Sequence, residues 1–147
     1  MRPGLIYLAL GVALIASSAR RTGAQSDGVK SVHGFLAMDN TGKRATMFPA
    51  DLPTVYAFWK GQALAIGDTV SVVWIAEDVG DPNRKESKIR NAEVKVYKSD
   101  EHGAFSLSRP PGQNWPVGKY RVEFYVNGGI ADVLKFTVTP GATIEVQ

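Results

Sequence analysis

Residues 119–138 read KYRVEFYVNGGIADVLKFTV. Tyr120, Val122, Phe124 and Val126 alternate with Arg121, Glu123, Tyr125 and Asn127. A period of two marks a strand with one buried face. Asn127-Gly128-Gly129 follows, and Asn and Gly tolerate the positive φ of a tight hairpin turn. The return strand sets Ile130, Leu134, Phe136 and Val138 at even spacing, with Lys135 and Thr137 between them. Asp132 interrupts that face near the turn, where exposure is expected.

Working outward from this hairpin, the chain supplies further strands for it to pack against. Residues 69–76, TVSVVWIA, put Val70, Val72, Trp74 and Ala76 on one face. Residues 54–60 carry Tyr56, Phe58 and Trp59 on both faces, as a central or covered strand would. Residues 92–98 and 104–108 read as shorter strands, with Val94 and Val96 inward. Residues 32–38 and 44–48 flank the turn cluster Asp39-Asn40-Thr41-Gly42 and predict a short hairpin. Residues 77–91, EDVGDPNRKESKIRN, form the longest polar stretch and read as a long loop. Residues 109–118, RPPGQNWPVG, read as a second loop. Seven to eight short strands with no convincing helical period predict an all-β antiparallel sandwich, with a small barrel as the alternative. In a sandwich, the Val70/Trp74 strand and the Tyr120/Phe124 strand are expected to face each other across the core.

The first part of the chain reads differently. Arg2 is followed by the apolar run 5–16, too short for an ordinary membrane-spanning helix. Small residues then lead to Thr22-Gly23-Ala24, which fits a signal peptide 1–24 cleaved after Ala24. Cleavage after Ala19 and an uncleaved anchor are the alternatives. The expected organisation is signal peptide 1–24, lead-in 25–31, sandwich domain 32–140 and tail 141–147. The expected location is secreted or periplasmic, with no membrane span after cleavage. The 147-residue chain has 17 basic and 14 acidic residues; three of the basic ones lie in the signal, which leaves 14 of each. The precursor pI of about 9.2 is therefore no nucleic-acid footprint, and no nucleic-acid partner is expected. With no cysteine, disulfides and thiolate metal sites are excluded.

Gly118-x-Tyr120-x-Val122-x-Phe124-Tyr125-x-Asn127-Gly128, followed by Phe136-Thr137-Val138 and preceded by Trp115-Pro116, resembles the terminal hairpin of bacterial extracellular immunoglobulin-like modules. Fibronectin type III and related sandwiches share this layout. The resemblance covers roughly residues 54–138. It implies that Tyr120 forms a tyrosine corner and that Trp74 is the core tryptophan of a central strand. The paired core cysteines of antibody domains are missing. The resemblance concerns fold, because sandwiches host many functions.

Chemistry-bearing residues are sparse. His33 and His102 are the two histidines, and no G-x-S-x-G elbow accompanies them. His102 beside Asp100 and Glu101 reads as a solvated turn before it reads as a metal site. Glu77, Asp78, Asp81 and Asn83 offer oxygens to calcium, but Arg84, Lys85, Lys88 and Arg90 follow at once. Trp59 reads as core. Trp115 reads as a plug over the end of the core, or as an exposed platform. Tyr125 lies on the polar face of its strand. The expected function is a non-catalytic binding module for an envelope or extracellular protein, acting through residues 77–91 and 109–118 or through an edge strand. A carbohydrate-binding module using Trp115 and Tyr125 is the alternative. The candidate binding residues are Trp115, Tyr125, Asp78, Asp81 and Arg84; Trp74, Tyr120, Phe124 and Phe136 are structural. No catalytic residue, metal or cofactor is expected.

Overall fold

The structure is a computed structural model that describes residues 28–99 and 101–141. The expected signal peptide 1–24 and most of the expected tail 141–147 lie outside the described residues. Eight strands follow in order: β1 Ser31–Ala37, β2 Met47–Pro49, β3 Thr54–Gln62, β4 Thr69–Asp78, β5 Ser87–Lys95, β6 His102–Ser108, β7 Gly118–Val126 and β8 Gly129–Thr139. They form two sheets, ordered β1-β3-β6 and β2-β8-β7-β4-β5. All pairings are antiparallel except β2 with β8. This is the immunoglobulin-like layout, with strands A, B and E in one sheet and A′, G, F, C and C′ in the other.

The core lies between the sheets. Val32, Leu36, Val55, Trp59, Phe105 and Leu107 from the smaller sheet meet Val70, Val72, Trp74, Val122, Phe124, Phe136 and Val138 from the larger. Each such side chain contributes about 1.5–3 kcal/mol by leaving water. Phe136 is the aromatic hub. It stacks on Tyr120 at 5.0 Å and meets Trp74 at 6.4 Å and Phe48 at 5.5 Å edge-on. The Tyr120 hydroxyl donates to the Pro116 carbonyl, which is the tyrosine corner the sequence implied. Burial pushes that hydroxyl's pKa up to about 12.

Four expectations need correction. The Val70/Trp74 and Tyr120/Phe124 strands do not face each other. They are hydrogen-bonded neighbours in one sheet, with Val70 opposite Val126 and Trp74 opposite Val122. Alternation shows which side chains are inward but not whether two strands share a sheet. The 32–48 hairpin is held by one bridge, Ala37 to Arg44; β2 then crosses to pair with β8. The long polar loop is short, because Ser87 to Asn91 belong to β5. β5 is an edge strand whose first half, Ser87–Asn91, has Ile89 as its one apolar residue, so that half carries no apolar alternation. Finally, a register shift in the β7–β8 ladder sets Ile130 opposite Tyr125 and Asp132 opposite Phe124. Ile130 is thereby turned out to solvent, while Asp132 keeps the inward parity of Leu134 and Phe136 and is half-buried rather than exposed.

Asp132 has a use there. Its Oδ2 accepts the Gly34 amide at 2.9 Å, closing the free edge of β1 against the other sheet. At the hairpin end, Asp68 binds the Lys30 ammonium at 2.8 Å, the Asn127 amide at 2.9 Å and the Ala65 N–H at 2.7 Å. Those contacts, Lys30 foremost, hold its pKa at about 2. They also tie down the end of the lead-in.

Candidate functional site

The loops expected to bind come together at one end of the sandwich. The turn after β4 contains a single 3₁₀ turn, Pro82–Arg84. The chain between β6 and β7 lies beside it. A cleft of about 190 Å³ between them is lined by Arg84, Ile89, Pro110, Gln113, Asn114, Trp115, Pro116 and Tyr120. Arg84 and Trp115 therefore share one cleft. Trp115 is only 8% exposed; its Nε1 donates to the Leu52 carbonyl at 2.7 Å and its amide to Ala50 at 2.8 Å. It plugs the end of the core. Asp78 and Asp81 accept the backbone amides of Gly80 and Asn83 at 3.0 and 2.9 Å, the ordinary work of turn carboxylates. Glu77 faces Arg121 and Lys135, at 3.5 and 3.6 Å. Among the described residues no group of three His, Asp or Glu is placed to hold a metal ion.

Tyr125 sits at the other end of β7, on the outer face of the larger sheet. Its hydroxyl donates to Glu123 at 2.9 Å, and that bond raises its pKa. Glu123 also meets Arg121, which in turn pairs with Glu86. This lattice of ion pairs satisfies its own charges. Trp115 and Tyr125 do not form a common platform.

The more informative surface is the outward face of β1-β3-β6. The ladder registers place His33, Lys60 and His102 in one cross-strand row, then Phe35, Phe58 and Ala104, then Ala37, Tyr56 and Ser106. Cross-strand partners share a face. Phe35 and Phe58 stack at 5.2 Å with planes 12° apart, and Tyr56 lies 6.2 Å from Phe58. The Arg44 guanidinium sits 4.0 Å over the Phe35 ring, a cation–π contact. Arg44 is brought there by the turn after β1. In that turn the Asp39 carboxylate accepts from the Thr41 hydroxyl and from the Thr41 and Lys43 amides, which lower its pKa. A groove of about 510 Å³ runs beside this stack, between His33, Lys60 and His102 on one side and Arg44 on the other. The three strands carry no carboxylate on this face. Three half-buried aromatic rings facing solvent among four cationic or titratable groups is the most binding-like arrangement among the described residues.

The sequence placed Tyr56, Phe58 and Trp59 on both faces of a central or covered strand; β3 is central in its sheet, and its Tyr56/Phe58 face is uncovered among the described residues. The signal was present: His33 and Phe35 share one parity, and Tyr56, Phe58 and Lys60 share another. Joining the two sets required knowing that β1 pairs with β3.

No family model matches the chain, and no curated protein matches it. Solved structures do resemble its fold. A mutant β-glucosidase from Listeria innocua in complex with laminaribiose aligns at TM-score 0.50 and 10% identity, over 78% of this chain and 17% of that one. An immunoglobulin-like protein from Pseudomonas aeruginosa aligns at TM-score 0.46 and 16% identity, over 80% of this chain and all of that one. An alkylpurine DNA glycosylase from Pseudomonas fluorescens, bound to DNA containing an abasic site analogue, aligns at TM-score 0.47 and 10% identity. It is matched over 74% of this chain and 30% of its own length. The chain thus spans less than a third of the two enzymes, and identities this low speak to fold alone. By its own strand order and its tyrosine corner, the chain is an immunoglobulin-like β-sandwich.

Proposed function

We propose that this chain is an exported, non-catalytic binding module that engages a protein partner in the cell envelope or extracellular space. Its docking surface is the outward face of β1-β3-β6. The observation that carries this reading is the layered stack Arg44–Phe35–Phe58–Tyr56 on a solvent-facing sheet. Aromatic and arginine side chains dominate the energetics of protein interfaces. The apolar leader at residues 5–16 supports export.

The geometry favours a protein over a sugar. A sugar ring stacks on a free aromatic face. Arg44 lies over the Phe35 ring and Phe58 stacks against it, so at Phe35 a partner meets the ring edge and the groove beside it. The ends of the sandwich are less suited, because Trp115 is committed to the core.

The test is chemical cross-linking in the native cells with the wild-type chain and with the double variant Phe35→Ser, Phe58→Ser, each shown to be folded by its thermal transition. The account predicts a discrete cross-linked protein that the variant loses. Equal capture by both chains contradicts this choice of surface. Trp fluorescence that responds to polysaccharides, with no protein captured, favours the carbohydrate reading.

A further inference from the structure

The four strand edges of this sandwich are not alike. At β1 the outward amide of Gly34 is bonded to Asp132. β2 has three residues and ends in Pro49. β5 carries Lys88, Arg90, Glu93 and Lys95, and its ladder with β4 is broken by a register shift. Bonding, shortness, proline, charge and bulges are the devices that keep an edge from pairing. β6, sequence HGAFSLS, has none of them among the described residues: no lysine, no proline, no break in its ladder with β3.

The direction of its backbone groups follows from two bonds. The Gly61 amide donates to the Glu101 carbonyl and the Arg109 amide to the Pro53 carbonyl, both at 3.0 Å, bracketing the β3–β6 ladder. Antiparallel ladders alternate. Gly103, Phe105 and Leu107 therefore bond to β3, while the N–H and C=O groups of His102, Ala104, Ser106 and Ser108 point away from the sheet.

The sheets also differ in width. Val94 is opposite Val70, Ala92 opposite Val72 and Arg90 opposite Trp74, so all three stand on the inward side of β5. Val70 and Val72 are fully buried, yet Val94 is 39% exposed. The smaller sheet ends at β6 and leaves the inward face of β5 without a roof. One more strand, about 4.8 Å beyond β6, would supply it.

We infer that β6 takes an extended segment of the partner protein as a fourth strand, whose inward residues are apolar over Ala92 and Val94 and acidic opposite Arg90. This inference rests on the reading that the module binds a protein. Backbone bonds to the outward groups of β6 give the affinity, and the face of β5 gives the selectivity. A second copy of the chain fits less well, since pairing two β6 edges would bring two β5 strands together, each with three cations against one carboxylate.

The experiment uses the isotope-labelled chain from residue 25 onward. The probe is a short synthetic peptide alternating valine with threonine, with one valine replaced by glutamate; a lysine version is the control. The expected result is amide shifts and about tenfold slower hydrogen exchange at Ala104 and Ser106, with Val94 methyl shifts. Ser106→Pro removes an outward N–H and spares the ladder to β3, and is expected to weaken binding at least about tenfold. Arg90→Glu, at an exposed position, is expected to reverse the preference for glutamate over lysine. Shifts confined to Phe35, Tyr56 and Phe58 overturn strand addition and leave the aromatic docking face standing. Binding of neither peptide overturns the inference for this chemistry. Dimerisation through β6 without peptide makes a second copy the occupant and overturns it as well.

Discussion

Replacing Tyr120 by Phe deletes one hydroxyl and leaves the ring stacked on Phe136. The hydroxyl donates to Pro116, and the tyrosine is almost wholly buried. Loss of one buried neutral hydrogen bond, leaving a carbonyl unpaired, costs about 1–2 kcal/mol. For a domain of this size that is a fall in Tm of about 4–8 °C. The pH dependence makes the prediction sharper. The folded hydroxyl has its pKa at about 12, against 10.0 for the ordinary phenol. The protonated form is thus favoured by folding. Its stabilisation is fully present below about pH 10 and is lost as pH rises through about 12. By about pH 11 the wild type has lost roughly 1.4 kcal/mol that the variant never had. Urea unfolding of both chains from neutral pH to about pH 11 measures this difference. The account expects the wild-type advantage at neutral pH to shrink to near zero at the alkaline end. A gap that is absent at neutral pH, or constant across the range, would falsify the tyrosine corner as drawn.

Three further outcomes follow from other contacts. Gly34→Ala would put a Cβ 2.6 Å from Phe124 Cε2 and 3.1 Å from the Phe58 carbonyl, so it should cost about 1–3 kcal/mol in urea unfolding; a neutral result contradicts the sheet spacing. Asp132→Ala uncaps the Gly34 amide; that single amide should exchange faster, with a stability loss of about 1 kcal/mol, and unchanged exchange refutes the edge closure. Asp68 is held at about pKa 2, so its stabilisation is present above its ordinary pKa of 3.8 and is lost as pH falls toward 2. Asp68→Asn should be less stable at neutral pH and should lack that portion of the acid-induced loss seen in the wild type.

Much of this architecture was legible. The alternation in β4, β7 and β8 placed Trp74, Tyr120, Phe124 and Phe136 in the core, and all four are buried. The tyrosine corner came from resemblance and holds in the geometry. Illegible features depended on which strand pairs with which. The β7–β8 shift that turns Ile130 out is invisible to a period-two count, since one extra residue inverts a face. β5 was read partly as loop because its first half, Ser87–Asn91, has a single apolar residue and no apolar rhythm. The aromatic face was legible in halves only: Phe35 and Phe58 lie 23 positions apart, and nothing local says they stack.

The central claim is that partners meet the outward face of β1-β3-β6. The most direct measurement places a photo-cross-linking phenylalanine analogue at Tyr56, Tyr125 or Gln113, one position per chain, and irradiates the native cells. The account predicts capture of a discrete protein from Tyr56 and none from the other two. Capture from Gln113 alone, beside the cleft between the end loops, would contradict it and return the binding site to residues 77–91 and 109–118.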